Sequence, residues 1–548
     1  MPRSKLALLA LLAAPTAFAW TPPVGIPKPA FPADLDIARP ALPAGWTTSQ
    51  AGFYFVAGTG CSDSNGNGTP AAPRCSLPGT ASPGDVIVLD GTISRSATIG
   101  YTGNATSPVW VMGKDPANRP TITTSWSIGG SYVIVDSIAF NMNSQDGVGL
   151  RGDHVMLRNA TMVNTYGTSN GSAFGMGGSQ VIFYKNVVSQ SGDWQYSGSS
   201  DIDRHGIKVG GSDIWIVDSQ FFHIQGDGVQ IGDQNNAASA INRIYVGRNI
   251  AYENLQFGFW VKNATDVIFS ENTAYNLTRT TASGPGGGLG GQYDPQYVWF
   301  INNTIHDSNG GIHIAGSGNG GGGPWYAIGN LTYNIATTNH SCGAYDYGAI
   351  SFRNSGAFTA AFNTVYNVDF FGGYPPGGSA TVRNNIFATL QSSCAGFPEA
   401  QMTHDYNLYS SSAYTPGTET NRVVGDPQFV TPGTDFSLKS SSPAVGRGST
   451  VEDPAFAAFR SALRHRHPQG PEGQRPAAAG QGDLGAIESP YSGIRPAAPS
   501  ALQVKRRPPP GPAGRRPPLR DPQVSLPGLS AVASAASPEC SGSGWRCR

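Results

Sequence analysis

An all-β chain wound as a solenoid of parallel strands is the fold this sequence predicts, and three observations predict it. Glycine supplies 72 of 548 residues and charged residues only 13%, a balance that suits short strands joined by tight turns better than a helical or α/β enzyme. One pattern recurs, in which alternating apolar residues lead to an asparagine and then to a second short apolar stretch: DHVMLRNATMVN, SQVIFYKNVVSQ, NRIYVGRNIAYEN, TDVIFSENTAYN and QYVWFINNTIHD. The polar positions so aligned are Asn159, Asn186, Ser219, Asn249, Asn272, Asn303, Asn330 and Asn363, at intervals of 23 to 33 residues. A repeat of that length with no helical period describes one coil of a solenoid whose strands pair with the coils on either side. The expected fold is therefore a single-stranded right-handed parallel β-helix, with the asparagines stacked along its axis as other cross-β side chains stack.

The elements follow in chain order. Residues 1–19 read as a signal peptide: a basic start at Arg3 and Lys5, an apolar run from Leu6 to Ala14, and the small-x-small pattern Ala17-Phe18-Ala19. The run is too short for a membrane span, so the chain is expected outside the cytoplasm, secreted, periplasmic or at the cell surface. Residues 20–80 are expected to form an N-terminal segment and cap, 81–449 the β-helix, 450–492 a closing turn and cap, and 493–548 a Pro/Arg-rich disordered tail. Caps are needed because a parallel solenoid ends in unpaired strand edges. Six cysteines without metal-site spacing suit local disulfides, and proximity in sequence favours Cys61–Cys75, Cys342–Cys394 and Cys540–Cys547.

Zero formal net charge conceals an uneven distribution. The tail holds nine Lys/Arg against Asp521 and Glu539, whereas residues 20–492 hold 24 basic and 33 acidic side chains. Such a body does not draw in a polyanion by its overall field. An acidic ligand must be neutralised by local cations or by a metal.

Between the asparagines a second strand recurs as Gly-apolar-x-apolar: Gly206-Ile207-Lys208-Val209, Gly228-Val229-Gln230-Ile231, Gly258-Phe259-Trp260-Val261 and Gly311-Ile312-His313-Ile314. Side chains alternate faces along a strand, so Lys208, Gln230, Trp260 and His313 are expected to line one outer face. Two earlier coils offer only Gly149 and Gly175 at that place, which starts the polar and aromatic stripe at Lys208. Trp260 is expected to act as a stacking platform for sugar and Lys262 as a further cation. The turns that enter this face carry Asp201, Asp203, Arg204 and His205 before Lys208, and Asp227 before Gln230, with Asp146, His205 and Asp227 at matching positions. These are the densest ionisable residues of the body.

Residues 82–122 resemble the first coil of β-helix proteins of the pectate-lyase and alginate-lyase kind, and the stretches 425–449 and 482–488 resemble their closing turn. The resemblance spans roughly residues 50–490 and implies a protein acting on an acidic polysaccharide. Removal of the proton α to a uronate carboxylate, with loss of the O4 substituent, requires a base, a cation for the developing enolate and a proton for the leaving group. Lys208 is the expected base, Arg204 the expected carboxylate partner and His205 their neighbour. Lyases of this fold pair such a base with calcium, which assigns Asp201, Asp203 and Asp227 to a possible Ca²⁺ site.

Three other readings stay open. Asp203-Arg204-His205-Gly206 partly resembles the Asp-Pro-His-Asp motif of mannuronan epimerases. Asp201, Asp203 and Asp227 are candidates for hydrolysis, although Gly226-Asp227-Gly228 is only a fragment of the polygalacturonase pattern. A non-catalytic, adhesin-like polysaccharide-binding protein is the alternative of another class, since fold does not imply activity. The expected partner throughout is an acidic polysaccharide, with no nucleic acid, no membrane span and a monomeric chain.

Overall fold

The computed structural model describes residues 19–143, 147–166, 170–196, 203–278, 286–316, 322–335, 348–353, 356–368, 379–390, 402–410, 419–449 and 484–485. All belong to the first of two units, 1–497 and 498–548. Asp146, Asp201, Cys342, Cys394, Cys540, Cys547, nearly all of the expected leader and C-terminal cap, and the tail lie outside these residues.

From Val86 to Arg353 each coil gives one strand to each of three sheets, and the described coils that follow give strands to two. Sheet A has 14 strands, from Phe53–Ala57 to Met402–Asp405; sheet B has 14, from Thr92–Ile93 to Val423–Val424; sheet C has ten, from Ala97–Ile99 to Ile350–Arg353. Neighbouring strands run parallel and in register, as where Asp153–Arg158 pairs with Ser179–Tyr184. The fold is the parallel β-helix that the repeat predicts, and it begins at Phe53, well before residue 81, because Phe53–Ala57 pairs in parallel with Val86–Asp90. Among the described residues the one helical piece is a 3₁₀ turn at Ala238–Ala240, and no helix is long and apolar enough to cross a membrane.

Alternation along each strand builds the core. In sheet A, Val135, Leu157, Phe183, Ile216, Val246, Phe269 and Phe300 stack on successive coils and are buried in one continuous apolar cluster. Branched and aromatic side chains fit this pleated, closely stacked surface.

The corner from sheet A to sheet B is a two-residue turn. Its first residue has positive φ, as at Lys185, Asp218, Arg248, Glu271 and Asn302, and its second belongs to the ladder. Asn249 Nδ2 donates to Asn272 Oδ1 at 3.1 Å, Asn272 to Asn303 at 3.0 Å, Asn303 to Asn330 at 2.9 Å and Asn330 to Asn363 at 2.9 Å. Each amide also donates to a backbone carbonyl of the preceding coil, as from Asn272 to Val246 O at 2.9 Å. Asn159 does not stand in this column. It holds the left-handed position with φ 54°, which asparagine tolerates, and Ala160 takes the ladder place, its N–H donating to Asn186 Oδ1 at 2.7 Å. The ladder runs two coils beyond the expected end, through Asn385 and Asn407, and stops on the buried Glu419, whose Oε1 accepts from Asn407 Nδ2 at 2.9 Å.

Residues 20–39 run along the outer face of sheet A instead of capping its end. That face is apolar: Trp110, Ile134, Met156, Ile182, Trp215, Tyr245, Ile268 and Trp299 form one outward column. Trp20, Ile26, Phe31 and Leu35 lie buried against it in a second apolar cluster. Trp215 Nε1 donates to Pro27 O at 2.8 Å, Arg158 Nη1 to Leu35 O at 2.8 Å and Arg248 Nη1 to Thr21 O at 2.7 Å, which fixes the strap coil by coil. The expected Cys61–Cys75 disulfide is formed.

On sheet B the outward column is aromatic. Phe222, Tyr252, Tyr275, His306 and Tyr333 stack on successive coils with centroids 4.8 to 5.1 Å apart. Phe436, from the antiparallel pair Phe429–Thr431 and Asp435–Leu438, closes over Tyr333 at 4.9 Å.

Candidate functional site

Sheet C carries the third outer face, and its column is in register from end to end: Thr98, Ser127, Gly149, Gly175, Lys208, Gln230, Trp260, Gly290, His313 and Ser351. The four residues expected to share a face therefore do, with Gly290 inserted between Trp260 and His313. The corner from sheet B to sheet C varies most in length and brings Asp203, Gln256 and Phe257 to one side of the column. On the other side lie Arg151, in the short turn from sheet C to sheet A, Asp233, in the longer connection 232–241, and Lys262, the last residue of its sheet C strand.

Beyond Lys208 the stripe is not open. Gln230, Trp260 and His313 are each only 2 to 3% exposed. Trp260 is stacked under Phe257 at 3.9 Å, its ring lies over Gly290, and His313 follows in the same near-parallel stack at 6.0 Å. Phe257 covers the indole, which is only 3% exposed, so the expected sugar platform is packed within the protein. The covering residue, Phe257, comes from the corner loop three positions before Trp260.

The open part of the column is the part that looked uninformative in the sequence. Among the described residues a Cβ on Gly175 would meet nothing within 4 Å, and one on Gly149 only Ser127 Oγ at 3.9 Å. Arg151 lies beside this floor, its side chain passing Gly177, whose Cβ position is 3.4 Å from the arginine Cγ. Arg151 is exposed.

Lys208 stands where open floor meets covered stripe. Its side chain is 40% exposed and its Nζ donates to Asp233 Oδ2 at 2.6 Å, crossing toward the next coil. That hydrogen bond first, with the Asn235 N–H and the charges of Lys208 and Lys262, outweighs burial and holds the Asp233 carboxyl below the usual range. Asp233 escaped the sequence reading, although Gly232-Asp233 directly follows the Gln230 strand.

His205 is wholly buried, and burial first, then the charges of Lys262 and Lys208, pushes its imidazole down to about 3. Its Nδ1 accepts the backbone N–H of Asp227 at 3.0 Å, so that nitrogen carries no proton. The 3.4 Å approach of the same nitrogen to Asp227 Oδ2 is accordingly not an ion pair. His205 is a neutral strut between two coils, with a proton only on Nε2. Arg204 is 1% exposed, its guanidinium packed over Gly171, and does not lie on the open surface expected for a carboxylate clamp.

Asp203 and Asp227 spend oxygens on the protein itself. Gln256 Nε2 donates to Asp203 Oδ1 at 2.6 Å, and Phe257 N–H to Asp227 Oδ1 at 3.0 Å; the first of these clasps coils 53 residues apart in sequence. Calcium requires six to eight oxygens. Among the described residues no group of three His, Cys, Asp or Glu is placed to hold a metal; Asp201, the third expected ligand, lies outside them.

No protein-family model matches this chain, and no curated protein does. Among solved structures, it is similar to the pectate lyase Pel9A at 16% identity and a TM-score of 0.44, over 80% of this chain and 96% of that one. The family 6 alginate lyase AlyGC aligns at 13% identity and a TM-score of 0.40, over 66% of this chain and 53% of that one. A lacto-N-biosidase from Eubacterium ramulus aligns at 11% and 0.40, over 68% and 67%.

Set side by side, Arg151, Lys208 and Lys262 are three cations on one face of a body whose net charge is negative, with Asp233 the carboxylate among them. Such a local field holds an anionic group and favours charge that develops beside it.

Proposed function

We propose that this protein is an exported polysaccharide lyase that cleaves a uronate-containing polymer by β-elimination on the outer face of sheet C. The observation that carries the reading is the position of Lys208: a cation at the boundary between glycine floor and covered stripe, 40% exposed and paired to a carboxylate on the next coil. In this mechanism the uronate carboxylate lies against the cations, which stabilise the enolate as the α-proton leaves. Lys208 exchanges Asp233 for the substrate, gives its ammonium proton to water, takes the α-proton as the free amine and passes it to O4 as the C4–O4 bond breaks and the C4–C5 double bond forms; water reprotonates the amine when product leaves. Asp233, below the usual carboxylate range through the lysine's hydrogen bond, is the group that receives the ammonium back after turnover. His205 keeps the Lys208 strand and the Asp227 turn in place. No step is assigned to calcium.

The test is a panel of acidic polysaccharides followed at the ultraviolet absorbance of the unsaturated uronate. Lys208→Ala is expected to lower turnover by about 10²- to 10⁴-fold, the usual worth of a general base, with little change in thermal stability because the side chain is half in water. Unsaturated product that persists at parental rate in Lys208→Ala removes the lysine from its role. Inverted sugar configuration without cleavage identifies an epimerase, and reducing ends without unsaturation a hydrolase. Retention of the polymer with no product at all leaves a binding protein.

A further inference from the structure

We propose that the acidic sugar sits on the glycine floor of sheet C, over Gly149 and Gly175, with its carboxylate held by Arg151, so that the two coils before Lys208 select the substrate. The inference rests on the lyase reading and names the seat and the selecting residue within that same face.

Three observations converge. First, the column is filled by its own side chains from Gln230 onward, whereas among the described residues Gly149 and Gly175 leave open space directly before Lys208. Glycine in mid-strand weakens a strand unless something must approach the backbone closely. Neither residue has the positive φ that would require glycine for conformation, and neither faces a close neighbour. In contrast, Gly290 is needed for packing, since a Cβ there would lie 2.5 Å from the Trp260 ring.

Second, Arg151 borders this floor with its planar guanidinium in solvent. It has no hydrogen bond or ion pair with any described residue, unlike Arg243, which forms a two-pronged pair with Asp213 at 2.5 and 2.6 Å. An arginine so placed on an acidic body is suited to bidentate capture of a carboxylate.

Third, Gln230 is 2% exposed, yet its Oε1 has no hydrogen-bond partner among the described residues. Its Nε2 donates to Gly232 O at 3.3 Å, and Lys208 crosses this coil to reach Asp233. A buried acceptor left unmet costs about 1 to 3 kcal/mol. Gln230 directly follows Lys208 in the outer column, so its Oε1 is an acceptor that a hydroxyl of a sugar chain extending past Lys208 can meet.

The experiment measures binding apart from turnover. Retardation in gels containing polygalacturonate, alginate or uncharged dextran is compared for Lys208→Ala, which leaves the polymer uncut, and for the same protein with Arg151→Gln or Gly175→Leu added. The floor is open, so Gly175→Leu is expected to keep the parental melting temperature while blocking the seat. Both additions are expected to weaken retention by one or both polyanions by about 10- to 100-fold, as loss of a charge-assisted bond does, and Arg151→Lys to restore part of it. Unchanged retention in both added variants, with Lys208→Ala still inactive, overturns the seat and leaves the lyase reading intact. Retention of dextran alone by the parent overturns both. If Gly175→Leu does not fold, Arg151→Gln alone decides, because its side chain lies in solvent.

Discussion

Sheets A and C are built by the same coils, and their outer faces have opposite fates. The column on sheet A is apolar on eight successive coils and is roofed by Trp20, Ile26, Phe31 and Leu35. The column on sheet C starts with small residues, passes through one lysine and ends in a stack that covers itself. An apolar face of that extent cannot remain in water, whereas a glycine floor edged by cations can. The roofed face is therefore expected to control stability, and the open one to control binding.

The comparison breaks most visibly at the strap. Phe31→Ala removes a side chain that is 4% exposed and packed edge-on to Tyr132 at 5.0 Å. It is expected to cost about 3 to 5 kcal/mol, seen as a lower denaturation midpoint, while polysaccharide retention at low temperature is unchanged. A strap variant that loses binding without losing stability would erase the distinction between the faces.

A smaller effect comes from below the open face. His205 titrates at about 3 in the folded protein against an ordinary 6.5, so between these values the unfolded chain binds a proton that the folded chain refuses. Stability from this group is complete above pH 6.5 and is lost as pH falls toward 3, at about 1.4 kcal/mol per pH unit. At pH 5 the loss is about 2 kcal/mol. In His205→Asn the unfolding free energy should fall less steeply between pH 6.5 and 5 than in the parent. Equal slopes would mean that the imidazole is not kept dry.

The smallest effect is set on sheet B, whose aromatic column belongs with neither extreme. Stacked rings turn their faces to one another and their edges outward, so Tyr275→Leu is expected to cost about 0.5 to 1.5 kcal/mol and to leave retention unaffected. Weakened retention would make sheet B a second sugar-binding face.

The coils were legible in the sequence because alternation and the asparagine repeat are local signals. The misplacement of Asn159 has a simple cause: the left-handed turn position and the ladder position are adjacent and both accept asparagine, so a pattern of single letters slips by one. The strap was not legible. Its contacts with Trp215, Arg158 and Arg248 reach across more than a hundred residues, and its apolar residues follow no period. On sheet C, alternation correctly set Lys208, Gln230, Trp260 and His313 on one side, but it carries no information about what lies above them. Burial of Trp260 depends on Phe257 in a corner loop. Gly149 and Gly175, read as blanks in a stripe, are the part of it that a ligand can reach.

The asparagine ladder has a direction. Every amide from Asn249 to Asn407 donates forward to the next coil, and each link is the same link. A coil can therefore be duplicated or excised during evolution, or by design, without leaving an unmatched donor or acceptor at the splice. The last coil is the exception: Asn407 donates its forward hydrogen bond to the Glu419 carboxylate, and a chain shortened from that end must supply a new acceptor. The molecule is in this sense an extensible part with a fixed terminus: coils are added or removed ahead of Glu419, and Glu419 is kept.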